Sequence, residues 1–155
     1  MLTQHEKRKT LVFMLYLSGF YDKEETDAQI DLYLSEELMV SRDNANGYEV
    51  GAGDESSEEI AALKERFNKV TEKLGVIDPM IAAVSEGWKL GRMGKTDLAI
   101  LRIAVYELFF DDDIPSAVAI NEAVKLANEY GGESSSPVFI NGILGKLERN
   151  RTADE

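Results

Sequence analysis

Three consecutive carboxylates, Asp111 to Asp113, stand directly before the apolar segment SAVAINEAV that begins at Ser116. Carboxylates hold hard cations, but such a cation needs about six or more oxygens converging from several positions, and three adjacent side chains diverge on any regular backbone. The run fits a polar turn better. Pro115 keeps Ile114 extended, and negative charge suits the start of the helix that follows. DNANG, residues 43 to 47, fails as a calcium loop because Ala45 takes the third ligand position and the terminal Glu does not stand at the required distance. No metal site is expected.

Other chemistries fare no better. The only histidine, His5, lies on an exposed helix start, so a Ser-His-Asp arrangement would have to recruit the least buried turn of the chain. GAG, residues 51 to 53, lacks the preceding strand and the further glycine of a dinucleotide site, and no phosphate-cradling GxxxxGK occurs. Arg102 and Glu107 interrupt an otherwise apolar helix, where charges are more often mutually paired or at the rim than catalytic. No catalytic residue and no cofactor is expected.

Those residues need elements to position them, and the elements read as helix after helix. Thr3 and Glu6 have capping-box spacing, and Leu11, Val12, Met14 and Leu15 then fill a helical face. Thr26 and Gln29 repeat the box before Ile30, Tyr33, Leu34 and Leu38. Residues 41 to 55 are rich in Gly, Asn and Asp without a period, which predicts a loop. Ser56 and Glu59 open a third helix with the stripe Ile60, Leu63, Phe67, Val70 and Leu74. Asp78-Pro79 reads as a cap and first helical residue, with a helix to about Trp88 ended by Gly91 and Gly94. DLAILRIAVYELFF, from Asp97 to Phe110, is apolar nearly all round and predicts a central buried helix. A sixth helix spans about Ser116 to Tyr130, stopped by Gly131-Gly132 in a left-handed conformation. Ser136-Pro137 caps a seventh, and the charged tail after Leu147 is expected to fray. The class is all-α.

The chain has 155 residues and a net charge of −12, which argues against a general nucleic-acid binder. The charge is unevenly spread. Residues 20 to 60 hold thirteen acids and two bases, whereas Lys7, Arg8 and Lys9 make a basic island against Glu6. Cysteine is absent, which excludes disulfides, thiolate zinc and a cysteine nucleophile and is compatible with a reducing cytosol. No apolar run approaches the roughly 18 residues of a membrane span, so the expectation is a soluble, cytoplasmic protein with no membrane partner.

Residues 78 to 147 carry a resemblance through four ordered motifs: DLAILRIAVYEL, DIPSAVAINEAVKLA, GGE and FINGILGKL. With Lys7, Arg8 and Lys9 leading to Leu15-Tyr16, the segment resembles the transcription antitermination factor NusB family over nearly the whole chain. The resemblance implies about seven helices in two packed bundles, residues 1–75 and 76–147 with a frayed tail at 148–155, inside a single domain 1–155. It implies no enzyme but an adaptor of ribosomal RNA transcription that grips boxA-like single-stranded RNA with NusE, also a small-subunit ribosomal protein, and so meets the RNA polymerase elongation complex indirectly. The implied RNA contacts are the basic start, Lys7, Arg8 and Lys9, with Tyr16, Phe139 and Asn141. The implied NusE face is the start of the central helix, at Lys95 and Asp97, where Asp97→Lys is expected to weaken NusE binding and spare thermal stability. The physics suits the role: cations hold phosphates, and aromatic faces carry splayed bases. A second reading from another class stays open, a protein-interaction module on the same fold that has lost most RNA affinity. For Lys7 to Lys9 the plain alternative is a solvated helix face, and for Phe139 a core position.

Overall fold

The computed structural model describes residues 2–46, 54–85 and 90–153. Every regular element in those residues is helical, as the periodicity predicts: seven α-helices and one short 3₁₀ turn at Leu90–Arg92. They form two compact units, Met1–Asn68 and Lys69–Glu155. The division falls earlier than the expected 75/76 boundary. Lys73, just past the third helix, sets its ammonium 5.2 Å from the centre of the Phe110 ring, which ties that stretch to the second unit.

In the first unit, α1 spans Gln4–Ser18 and opens with the expected box. The Glu6 N–H donates to Thr3 Oγ1 at 3.1 Å, and the Thr3 N–H donates to Glu6 Oε2 at 3.4 Å. Leu11, Val12, Met14 and Leu15 are buried, and α1 packs on α2, Lys23–Asn46, which buries Ile30 and Leu34. The start of α2 differs from expectation. Asp22 caps it, accepting the Glu25 N–H at 2.9 Å, while Thr26 lies inside the helix, buried, with its hydroxyl donating to the Tyr21 carbonyl. The carboxylate one turn earlier reaches the free N–H groups first. The expected loop at 41 to 55 also shrinks: α2 continues through Asn46 and α3, Asp54–Glu72, begins before Ser56, leaving 47–53 outside the described residues. A Lys64–Asp31 ion pair and a 3.0 Å bond from the Leu2 N–H to Glu59 Oε1 fasten α3 within this unit.

In the second unit, α5, Lys95–Phe110, is the central helix that its composition predicts. Ten of its sixteen residues are buried, against α4, α6 and α7. Each fully buried Leu, Ile or Val contributes roughly 1.5–3 kcal/mol. α4 spans Leu74–Val84, starts earlier than expected and carries Pro79 inside it. Asp78 is therefore no cap. Its carboxylate accepts two bonds from the Arg102 guanidinium, from Nε at 2.9 Å and Nη2 at 2.8 Å, so Asp78 rather than Glu107 is the partner of Arg102. A forked charged pair outweighs one local capping bond. α4 ends at Val84 with Ser85 after it, short of the expected end near Trp88, which itself falls outside the described residues.

α6 occupies Ser116–Tyr130 as predicted, and the acid run before it is a turn in which the Asp113 N–H donates to Asp111 Oδ1 at 3.0 Å. Gly131 ends the helix with φ −59° and ψ 148°, which is not left-handed. Its role is close approach. A Cβ there would stand 2.4 Å from the Ala127 carbonyl oxygen and 2.6 Å from Ser136 Cβ. α7 spans Ser136–Ala153, so residues 148 to 153 are helical rather than frayed. Arg151 holds them, donating to Glu148 and, at 2.8 Å, to Ser116 Oγ.

Candidate nucleic-acid interface

The basic island and Tyr16 lie on α1 in the first unit. Helical spacing sets Lys9, Phe13, Tyr16 and Phe20 on one stripe, in steps of four, three and four, of which Phe20 stands just past the helix end. Lys7, Arg8, Lys9, Phe13 and Tyr16 are half-buried, with Phe20 51% and Tyr21 43% exposed. Tyr16 and Phe20 meet edge to face with ring centres 5.0 Å apart, and Phe13 lies 6.3 Å from Tyr33 of α2. Such contacts fix the ring orientations while leaving aromatic surface open. The nearest acid on the helix, Glu6, is engaged by the Thr3 cap. The first unit thus offers cations and then aromatic rings in file.

Phe20 and Tyr21 are absent from the site read in the sequence. Counting the stripe on from Lys9 reaches Phe20, so the signal was there. It was masked by Gly19 and by the turn chemistry that follows, since Phe20 belongs to the link between two helices.

The second unit holds the other expected residues. Phe139 sits half-buried in the first turn of α7, its N–H donating to the Ser135 carbonyl at 3.0 Å. It lines a cavity of about 410 Å³ together with Met93, Asp97, Glu133 and Val138. Asn141 is exposed, but two residues along a helix turn a side chain to another face, so Phe139 and Asn141 do not share one.

Lys95 and Asp97 part in the same way. Lys95 is exposed, whereas Asp97 is only 8% exposed and turned inward. Asp97 Oδ2 accepts the Ser136 hydroxyl at 2.8 Å, and Asp97 Oδ1 accepts the Gly132 N–H at 3.4 Å. Ser136 Oγ in turn accepts the Glu133 N–H at 3.1 Å. These bonds cross 35 to 39 residues of sequence and pin the Gly131–Ser136 turn onto the first turn of α5. Asp97 was expected on the NusE face, apart from the Arg8 site, and here it shares a cavity wall with Phe139. The expectation that Asp97→Lys spares stability does not survive, because the change removes the acceptor of a buried hydroxyl.

The chain has close counterparts. A family model described as the NusB family matches residues 5–149. Transcription antitermination protein NusB of Lachnoclostridium phytofermentans is 41% identical over 146 residues, 94% of this chain and 98% of that protein. Its counterpart in Agathobacter rectalis is 39% identical over 146 residues, 94% of this chain and 99% of the relative. Among solved structures, T. maritima NusB superposes with a TM-score of 0.71 at 27% identity, covering 96% of this chain and 92% of that one.

Proposed function

The chain belongs to the NusB family of transcription antitermination proteins, and from that premise we propose that it is an adaptor gripping boxA-type single-stranded RNA together with NusE. It is not an enzyme. The observation that carries the RNA reading is the α1 stripe, in which the Lys7 to Lys9 turn leads to Tyr16 with exposed Phe20 and Tyr21 beyond it. Phosphates take the cations, and unstacked bases take the ring faces, each stacked base contributing roughly 1–3 kcal/mol. In the second unit Phe139 supplies a further ring and Asn141 a polar contact. The NusE face is proposed at the start of α5, where exposed Lys95 makes contact and Asp97 shapes the surface beneath. Acting on nascent RNA places the chain with the elongation complex in the cytoplasm. No helix among the described residues is long and apolar enough to cross a membrane, which is consistent with that setting.

A net charge of −12 opposes phosphate at long range, so local contacts must carry affinity and the isolated chain binds weakly. Three neutralised phosphates give a slope of log affinity against log salt of about −2, at roughly −0.7 per contact on a single strand. NusE, a basic partner, extends the RNA track and steepens the slope. A fluorescence titration with boxA-type and scrambled RNA, with and without NusE, tests this. Preference for boxA-type RNA in the complex supports the adaptor. NusE binding without any RNA preference replaces it with the second reading, a protein-interaction module that has lost most RNA affinity, which the acidic balance favours.

A further inference from the structure

The Asp97 carboxylate faces two ways at once. Its oxygens hold the Ser136 hydroxyl and the Gly132 N–H, and its side chain forms one wall of the cavity that Phe139 also lines. Ser136 is the first residue of α7 and Phe139 stands one turn on, so whatever fixes Ser136 fixes where the Phe139 ring begins its path. Gly131 confirms how tightly that junction is set, since even a methyl group at its α-carbon collides with Ser136. We infer that Asp97 and Ser136 are positioning residues for RNA binding, a clamp that holds the first turn of α7 so that the Phe139 ring stays presented to a nucleobase.

The inference rests on the RNA reading of Phe139 and makes a claim that reading does not. Ser136 is 2% exposed and its hydroxyl is spent on Asp97, so an effect of that hydroxyl on affinity travels through what it anchors. Electrostatics and the clamp also disagree in sign for Asp97. Removing a negative charge beside an RNA site strengthens phosphate binding if charge is all that matters. Loosening the clamp weakens it. Asp97→Asn keeps an oxygen for the Ser136 hydroxyl but turns an amide where two acceptors stood, so the Gly132 bond and the Ser136 bond compete for one atom.

The test is a double-mutant cycle on the full chain, in complex with NusE, read by titration with a short fluorescein-labelled boxA-type RNA well below the melting temperature. The expected result is that Phe139→Ala weakens binding and that Ser136→Ala and Asp97→Asn each weaken it by about fivefold or more, the low end of what one stacked base supplies. In the Phe139→Ala background neither clamp variant should weaken binding further, because the ring they serve is gone. If Ser136→Ala does not fold, Asp97→Asn carries the same cycle. If Phe139→Ala binds like the parent, the RNA reading of that residue falls and the inference with it. If Phe139→Ala weakens binding while both clamp variants bind as tightly as the parent or tighter, the RNA reading stands and the clamp is overturned. Losses that simply add across the cycle overturn it too.

Discussion

α1 and α5 are nearly equal in length, 15 and 16 residues, yet they do opposite work. α1 buries five residues on one face and leaves a stripe of cations and rings on another. α5 buries ten, and its polar side chains Asp97 and Arg102 are spent on other elements. In the proposed reading, side chains on α1 meet the RNA themselves. Asp97 and Arg102 on α5 act through what they hold, so a substitution there removes a support, whereas on α1 it removes a contact.

The contrast breaks most visibly at the core of α5. Leu101 is fully buried, so Leu101→Ala should cost about 2–5 kcal/mol in a denaturant melt, whereas Phe20→Ala should stay within about 0.5 kcal/mol. Similar losses for the two would erase the distinction. Next comes the clamp. Asp97→Lys should cost about 1–3 kcal/mol by orphaning the Ser136 hydroxyl. Gly131→Ala should cost about 1–3 kcal/mol by overpacking, while Gly132→Ala, whose Cβ meets open space, should be near neutral. Differential scanning calorimetry of the three separates the clamp from a general intolerance of the turn.

On the α1 side, Arg8→Glu should lower RNA affinity and shrink the salt slope by about 0.7 while moving stability by less than about 0.5 kcal/mol. A melting shift as large as that of Asp97→Lys would mean that α1 is structural after all. The smallest effect concerns pH. The Arg151 guanidinium holds the Glu148 carboxyl below its ordinary 4.5, outweighing the opposing effect of burial, with Ser116 adding in the same direction. A depressed acid stabilises the fold fully above its unfolded value and loses that contribution as pH falls through the lower folded value. Between about pH 5 and 7 no change is expected from this pair, and below 4.5 the parent should lose its advantage over Glu148→Gln, by about 0.5 kcal/mol or less. A pH series of urea midpoints measures it.

What was legible in the sequence follows the range of each interaction. The Thr3–Glu6 box is set by neighbours within a few residues and stands as read, and the bounds of α6 match the reading too. Asp78 and Ser136 look like caps, because a cap and a long-range acceptor or donor use the same residue types. Their partners lie 24 and 39 residues away, a distance at which local patterning says nothing. Gly131 misleads for a related reason: the glycine is required, but by the approach of Ser136 rather than by its own backbone angles. At the site, the residues were legible as types and places on helices. Their grouping was not: that Asp97 shares a cavity with Phe139 depends on how the Gly131–Ser136 turn folds back on α5.

α6 and α7 are joined by that turn at one end, and at the other Arg151 of α7 donates to Ser116 Oγ at the start of α6. α6 has no side-chain cap of its own, with Pro115 before it, so the order of its first turn is borrowed from the last turns of α7. A helical hairpin fastened at both ends does not unzip from its tips; it opens as one body or stays shut. In hydrogen exchange, the amides of residues 148 to 153 and those just after Ser116 should form one protection class, although they sit at opposite ends of the sequence of this hairpin. The last described turns of α7 are in that sense a latch on the beginning of α6.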